Sequence, residues 1–217
     1  MYRTFIFDLD GTLLNTLDDL TDSVNHALSL FGIPTRTREE IRSFVGNGIA
    51  NLLKRSIGFE HSQFAEILQE FRAFYGEHCK DKTREYEGVS ELLTKLKARG
   101  VQTAVVSNKA DFAVKKLVKE YFSDLIGEAV GENEGAGIAK KPAPDSLLAV
   151  MKNYKAEPKT TVYIGDSEVD IQTAKTAGVD CISVVWGFKD REFLKKNGAK
   201  TFVETPLEIL KFCEVKE

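Results

Sequence analysis

The chain has 217 residues, of which 42% are hydrophobic and 29% are charged, a composition typical of a soluble globular protein long enough to bury a sizeable core. Its formal net charge of −3 and the scatter of Lys and Arg along the sequence argue against a surface that binds nucleic acid or anionic membranes. No apolar run approaches the roughly 20 residues that cross a bilayer, and the N-terminus has no secretory pattern, so we predict a cytoplasmic protein with reduced cysteines.

Short apolar runs predict the strands of a sheet that is buried on both faces. These runs are residues 4–9, 101–107, 161–165 and 181–186, with a weaker one at 200–203. Apolar residues at helical spacing lie between them, and the predicted helices stop at glycines such as Gly100 and Gly178. The alternation of strand and helix predicts an α/β fold with a doubly wound, Rossmann-like, mostly parallel sheet.

The alternation is interrupted between residues 15 and 83. Only helical spacing recurs there, and the stretch is too long for a structureless loop inside a compact domain. We therefore predict an all-helical cap domain, residues 15–83, inserted into an α/β core domain formed by residues 1–14 and 84–217. The Gly-rich stretch 131–144 matches neither the P-loop nor the dinucleotide-binding pattern, and we interpret it as a loop.

Polar side chains gather where three predicted strands end and in one polar loop before a helix. They are Asp8, Asp10, Ser107, Asn108, Asp166 and Asp170 at the strand ends and Lys141 in the loop. Because ligands of open parallel α/β sheets bind outside the carboxyl ends of the strands, we expect these groups to share one crevice. Carboxylates at close range repel one another, and oxygen ligands without His or Cys favour Mg²⁺ bound together with a phosphate group.

Four segments resemble the motifs of a known family. "DLDGTLL", "VVSNK", "KKPAPD" and "GDSEVDI" occur in this order, and together they resemble the haloacid dehalogenase superfamily of phosphotransferases. The helical insertion resembles the cap of one subgroup, and "FVGNGI" and "TREYEGV" resemble its phosphoglycolate phosphatase branch. The resemblance implies a Mg²⁺-dependent phosphomonoesterase that acts on a small phosphorylated metabolite, with 2-phosphoglycolate as the best single candidate, through an aspartyl-phosphate intermediate.

The resemblance also implies the catalytic roles and the metal ligands. Asp8 matches the nucleophile, and Asp10 matches the general acid and base. Residues i and i+2 of an extended strand point to the same side, which lets both carboxylates reach one phosphoryl group. Asp8, the Asp10 backbone carbonyl and Asp166 match the Mg²⁺ ligands. Asp170 is either a further ligand or an acid that contacts a ligand without binding the ion itself.

The phosphate is expected to contact groups from the second and third motifs. Ser107 and the Asn108 backbone amide match the groups that bind the transferring phosphoryl oxygens. Lys141 matches the cation that neutralises charge on the nucleophile and the phosphate together. The neighbouring Lys109 and Lys140 are interpreted as solvated surface lysines.

Two further sets of residues are expected near the substrate. Thr12, which follows the first motif's acids, is expected beside the phosphate, orienting Asp10. In the predicted cap, the loop formed by Gly46, Asn47 and Gly48 is expected to contact the substrate and to contribute specificity, although "NG" is also a common turn signal.

Other reactions stay open. An inorganic pyrophosphatase or a β-phosphoglucomutase-like phosphosugar mutase would share the motifs, whereas dehalogenase chemistry does not use the second acid, Asp10. A phospho-acceptor signalling module is the alternative from another class, but such modules have no helical insertion after the first strand. Arg55, Arg72 and Arg84 either recognise a substrate carboxylate or lie on the surface, and the sequence is compatible with a monomer or a homodimer.

Overall fold

A parallel six-stranded sheet forms the centre of the computed structural model, which describes residues 1–133 and 139–213. The strand order is β5-β4-β1-β6-β7-β8, and every neighbouring pair is parallel. The six strands are β1 (Thr4–Phe7), β4 (Gln102–Ala110), β5 (Glu128–Glu132), β6 (Thr161–Gly165), β7 (Asp180–Val184) and β8 (Thr201–Val203). The expected α/β fold is therefore confirmed.

Helices follow the strands of the sheet and bury their apolar faces against it. They are α5 (Val89–Ala98), α6 (Asp111–Phe122), α7 (Asp145–Tyr154), α8 (Glu168–Ala177) and α9 (Arg191–Lys196), with short 3-10 helices at Pro158–Thr160 and Pro206–Phe212. Strand β1 is fully buried, with Phe5 and Phe7 in one apolar cluster and Ile6 in another. The two faces of β1 thus contact different clusters, as expected for a strand in the middle of a covered parallel sheet.

Between β1 and α5 the chain forms four helices and one small hairpin-like pair. The helices are α1 (Leu17–Leu30), α2 (Arg38–Phe44), α3 (Ile49–Ile57) and α4 (Phe64–His78). Strands β2 (Leu14–Asn15) and β3 (Arg84–Glu85) pair antiparallel, so the chain leaves and re-enters the sheet region through two adjacent segments. We call residues 15–83 the helical insertion. None of the helices among residues 1–133 and 139–213 is long and apolar enough to cross a membrane.

Strand β5 differs from the sequence prediction. No strand was expected there, and the loop predicted for residues 131–144 is wrong at Gly131 and Glu132, which belong to β5. Residues 134–138 of the predicted loop lie outside the described residues. β5 is a short edge strand that is only partly buried, so it lacks the apolar run by which a central strand can be recognised.

Candidate active site

The candidate site lies at the carboxyl ends of the three central strands β4, β1 and β6. Asp8 follows β1 directly, and Asp166 follows β6 directly. Ser107, Asn108 and Lys109 lie within β4, where the pairing register with β5 shifts between Val106 and Ala110. A shift of this kind bends the strand and redirects its side chains. All three residues are buried, and all three line the same cleft.

Asp8 belongs to a buried charge network with Lys141 and Asp170. The Lys141 Nζ lies 3.1 Å from Asp8 Oδ1 and 2.7 Å from Asp170 Oδ1, and it also donates to the Tyr163 hydroxyl at 2.9 Å. The Leu9 backbone amide donates to Asp8 Oδ1 at 2.7 Å. These contacts fix both the carboxylate of Asp8 and the ammonium beside it.

Asp170 has a double role at the start of α8. Its Oδ2 accepts hydrogen bonds from the Ser167 backbone amide and hydroxyl, at 3.1 and 2.6 Å, while the Ser167 hydroxyl caps the helix. This capping box fixes the first turn of α8. Lys141 donates to Asp170 Oδ1, so the carboxylate holds the ammonium in position. Because Oδ2 already accepts two hydrogen bonds, only Oδ1 retains a lone pair for a cation.

Asp166 is held on the other side of Asp8. Its Oδ2 accepts from the Phe188 backbone amide at 2.7 Å, and Thr12 Oγ1 lies 3.5 Å from its Oδ1. Gly11 and Gly187 pack so closely on this carboxylate that a Cβ at either position would overlap it. Gly11 also has a φ of +83°, which favours glycine, so the chain can turn here only with this residue type.

Asp10 belongs to a second network. The Lys109 Nζ lies 2.9 and 3.1 Å from its two carboxylate oxygens, and the Thr16 hydroxyl donates to Asp10 Oδ1 at 2.8 Å. Lys109 also donates to the hydroxyl of Tyr75, a residue of α4 in the helical insertion. The interpretation of Lys109 as a solvated lysine is wrong, since its side chain is only 1% exposed.

The hydroxyl beside Asp10 also differs from the prediction. Thr16 donates to Asp10, whereas the predicted residue, Thr12, lies against Asp166. Thr12 follows the tight turn at Gly11, and its side chain lies against Asp166 instead of Asp10. Thr16 comes directly after β2, where the chain has come back past Asp10.

Asn108 links three parts of the site. Its Nδ2 donates to the carbonyls of Lys141 and Gly46, at 2.9 and 3.3 Å, and its Oδ1 accepts from the Lys141 amide at 2.8 Å. Gly46 and Gly48 line the same cleft as Asp8 and Asp10. Asn47 accepts through its carbonyl from Asn51, so it is held within the insertion.

Burial dominates the electrostatics of the site. It raises the pKa of Asp8 to about 6, with Lys141 opposing the shift and Asp170 and Asp10 adding to it. Burial, followed by Asp170 and Asp8, raises the pKa of Asp166 well above its usual range. Burial favours the neutral form of Lys141, but Asp170 and Asp8 outweigh it and raise the pKa of this ammonium.

The carboxylates fit a divalent cation. Asp8, Asp166 and Asp170 each offer an oxygen, and these oxygens all lie within 4.8 Å of one another. Three buried carboxylates face one ammonium, Lys141, which leaves two negative charges for a cation to balance. Hard oxygen ligands and a need for added charge are the properties of a Mg²⁺ site that shares its ion with a phosphate.

A cleft of about 580 Å³, its open mouth included, lies between the sheet edge and the helical insertion. Asp8, Asp10, Ser107, Asn108 and Asp166 all line it. Its size suits a small molecule, and its polar groups gather at the sheet side.

The three arginines proposed for a substrate carboxylate lie elsewhere. Arg55 donates to the Phe44 carbonyl, Arg84 donates to two carbonyls of its own turn, and Arg72 is exposed. Among the described residues that line the cleft, the cations are Lys109 and Lys189 instead.

The chain is similar to a known family of proteins over most of its length. The family model described as haloacid dehalogenase-like hydrolase matches residues 5–184. The chain belongs to this family. As a haloacid dehalogenase-like hydrolase it is an enzyme, and the alternative of a receiver module for signalling is not supported.

Several relatives of this hydrolase are named phosphoglycolate phosphatase. A phosphoglycolate phosphatase of Haemophilus influenzae is 34% identical over 197 residues, which cover 86% of this chain and 87% of that one. Phosphoglycolate phosphatase 1 of Pseudomonas aeruginosa is 36% identical over 197 residues, which cover 86% of this chain and 70% of that protein. The crystal structure of a proposed phosphoglycolate phosphatase from Lactobacillus delbrueckii subsp. bulgaricus matches with a TM-score of 0.90 and 36% identity, over 96% of both chains.

Proposed function

We propose that the protein is a Mg²⁺-dependent phosphomonoesterase that acts on a small phosphorylated metabolite, with 2-phosphoglycolate as the leading candidate. The observation that carries this proposal is the convergence of Asp8, Asp10, Ser107, Lys141 and Asp166 on one buried edge of the sheet. The phosphoglycolate phosphatases among the relatives support the choice of substrate.

In the first step Asp8 attacks the phosphorus of the ester. A bond forms between a carboxylate oxygen of Asp8 and phosphorus, the bond between phosphorus and the ester oxygen breaks, and Asp10 gives a proton to the leaving alkoxide. Lys141 and the hydroxyl of Ser107 stabilise charge on the phosphoryl oxygens and on Asp8. The contact from Lys141 to Asp8 is already formed, so little reorganisation of this pair is needed at the moment of reaction.

In the second step water attacks the phosphorus of the aspartyl-phosphate. Asp10, now a carboxylate, takes a proton from the water, and the bond between phosphorus and Asp8 breaks to release phosphate. Asp8, the Asp10 carbonyl and Asp166 would hold Mg²⁺, which would supply positive charge to the phosphate and to the carboxylates around it. Asp170 holds Lys141 and contributes to the same cation site.

We also propose that residues 15–83 act as a separate cap domain over a core of residues 1–14 and 84–217. The insertion joins the rest of the chain through the adjacent strands β2 and β3, which is the arrangement expected of a hinge. Closure of such a cap would exclude bulk water from the aspartyl-phosphate and place Gly46 and Gly48 against the substrate.

The Asp8→Asn variant tests the proposal. With Mg²⁺ present, we expect wild-type protein to release phosphate from 2-phosphoglycolate, and we expect the variant to lose more than about a thousandfold in kcat because Asn is not a nucleophile. EDTA should abolish wild-type activity, and added Mg²⁺ should restore it. Pyrophosphate and glucose 1-phosphate, assayed in parallel, test the competing substrates.

The matched control is Asp22→Asn, which removes an exposed carboxylate of α1. It should retain wild-type activity. Activity in folded Asp8→Asn protein within tenfold of wild type would refute the nucleophile, and activity unaffected by EDTA would refute the metal dependence.

A further inference from the structure

Tyr75 brings a polar group from the helical insertion into the cleft. Its side chain is fully buried, it lines the cleft, and its hydroxyl accepts a hydrogen bond from Lys109. The ring stacks on Phe71 of the same helix, with 5.4 Å between the centroids, which holds the hydroxyl in place.

The hydroxyl proton of Tyr75 is available to a ligand. Because an ammonium group only donates, the Tyr75 oxygen accepts from Lys109 and its own proton needs a different acceptor. Among residues 1–133 and 139–213, the hydroxyl of Tyr75 makes one hydrogen bond, the one it accepts from Lys109, and its proton has no acceptor there. Burial, followed by the charge of Asp10, raises the pKa of Tyr75 well above its usual range, so the phenol keeps this proton.

The surrounding wall of the insertion is apolar. Among its described residues that line the cleft, Tyr75 alone has a polar side chain; the others are Leu20, Val45, Gly46, Gly48, Ile49 and Leu52. A substrate with many hydroxyl groups, such as a sugar phosphate, would leave several of them unpaired against this wall, at a cost in free energy for each. A substrate with one compact polar group fits the wall better.

We propose that Tyr75, backed by the ammonium of Lys109, binds the carboxylate of the leaving group and thereby selects phosphorylated 2-hydroxy acids. This inference rests on the proposed phosphatase function and adds the residue that determines specificity. The phenol donates its proton to a carboxylate oxygen, and the adjacent ammonium contributes positive charge, a pairing stronger than a hydrogen bond between neutral groups.

The spacing of the groups suits a two-carbon acid. The ammonium of Lys109 contacts both the Asp10 carboxylate and the Tyr75 hydroxyl. The carboxylate and the hydroxyl are therefore only one ammonium group apart. In a phosphorylated 2-hydroxy acid, the ester oxygen and the carboxylate sit on adjacent carbons. The ester oxygen can therefore lie at Asp10, which protonates it, while the carboxylate lies at Tyr75.

The test compares two esters that differ in the carboxylate. We expect the ratio of kcat/KM for 2-phosphoglycolate to kcat/KM for ethyl phosphate to fall about 10- to 100-fold in Tyr75→Phe, because only the acid loses a charged hydrogen bond. Tyr154→Phe is the matched control. Its hydroxyl bonds the Thr103 carbonyl at 2.9 Å, outside the cleft, and this carbonyl keeps the Gly127 amide as a partner, so the ratio should not change.

The outcomes separate this inference from the function on which it rests. If wild-type protein hydrolyses neither ester, the phosphatase proposal fails and the inference fails with it. If wild-type protein hydrolyses both, but Tyr75→Phe lowers both kcat/KM values equally, or Lys189→Met loses the preference instead, only the role of Tyr75 is refuted. A wild-type measurement needs no variant: equal kcat/KM for 2-phosphoglycolate and its carboxyl methyl ester would also overturn the role of Tyr75.

Discussion

Asp8 is buried next to Asp170 and near Asp10, and desolvation is the main reason why its pKa lies at about 6. In the unfolded chain an aspartate has a pKa of about 3.9. Between these values the folded protein keeps a proton that the unfolded chain has lost, so the free energy of unfolding falls as the pH rises through this window. The site therefore lowers the stability of the metal-free protein at neutral pH.

This cost predicts a pH-dependent difference between wild type and Asp8→Asn in EDTA. Relative to the variant, wild-type protein should lose about 2 kcal/mol of unfolding free energy between pH 4.5 and pH 7.5, since the Asn side chain does not ionise. Urea titrations of both proteins at the two pH values measure the difference. Saturating Mg²⁺ at pH 7.5 should stabilise the wild type, so the difference in unfolding free energy between the two proteins should shrink or change sign.

Asp22→Asn provides the comparison here as well, because its carboxylate is exposed and pairs with Lys82 at the surface. Its stability relative to wild type should change by less than about 0.5 kcal/mol over the same range. A difference between wild type and Asp8→Asn that does not depend on pH would contradict the raised pKa.

Single residues also show which parts of the site follow from sequence. Asp8 and Asp166 are predictable because each follows an apolar strand at the edge where parallel sheets bind ligands. Lys109 is not, since the partners of its ammonium, Asp10 and Tyr75, lie far away in the sequence and no local pattern indicates that they bury it. Tyr75 lies on an apolar helix face, where its spacing predicts a core residue and gives no signal for a site.

At the level of elements, α1 is tied to the segment that leads into β3. Asp19, in the first turn of α1, is buried, and its carboxylate accepts from the backbone amides of Lys82 and Thr83. The distances are 2.9 to 3.1 Å, so three hydrogen bonds to one charged group join the beginning and the end of the helical insertion. Without this carboxylate those amides would be left partly unpaired.

Asp19→Asn should therefore destabilise the protein by about 2 kcal/mol, because the amide nitrogen of Asn cannot accept a hydrogen bond and the remaining oxygen is uncharged. The measurement is the free energy of unfolding from urea titration. Asp22→Asn is again matched, one turn along the same helix, and should cost less than about 0.5 kcal/mol. Equal losses in the two variants would show that the contacts from Asp19 to the amides of Lys82 and Thr83 contribute nothing to stability.

The elements themselves were predictable where a long periodic pattern exists. The apolar runs that became β1 and β6 lie in the middle of the sheet, and the helices of the insertion follow from their spacing. β5 and the two-residue strands β2 and β3 carry no such pattern, because each is short and none is fully buried. These strands form through pairing with distant partners, which a local pattern does not encode.

Across the whole molecule, polar contacts join the helical insertion to the loop after β7. Arg42 of α2 donates to the carbonyls of Phe188 and Gly187, at 2.9 and 3.2 Å. In the opposite direction, Lys189 donates to the Ser43 carbonyl at 3.0 Å. The same loop supplies the Phe188 amide that holds Asp166, so this contact connects the position of the insertion with the carboxylates of the candidate cation site.

Replacing Arg42 by Met should weaken closure of the insertion while leaving each part folded. Loss of two donations from a half-exposed guanidinium to backbone carbonyls should lower kcat/KM for 2-phosphoglycolate about fivefold, chiefly through KM, because less protein is in the closed form that binds substrate. Arg38→Met is the matched control, since Arg38 lies on the same helix but pairs with Asp18 inside the insertion. Steady-state kinetics of both variants, with unfolding midpoints measured alongside, separate a change in closure from a change in stability. Equal KM values in the two variants would show that the contact from Arg42 to Phe188 and Gly187 does not contribute to closure.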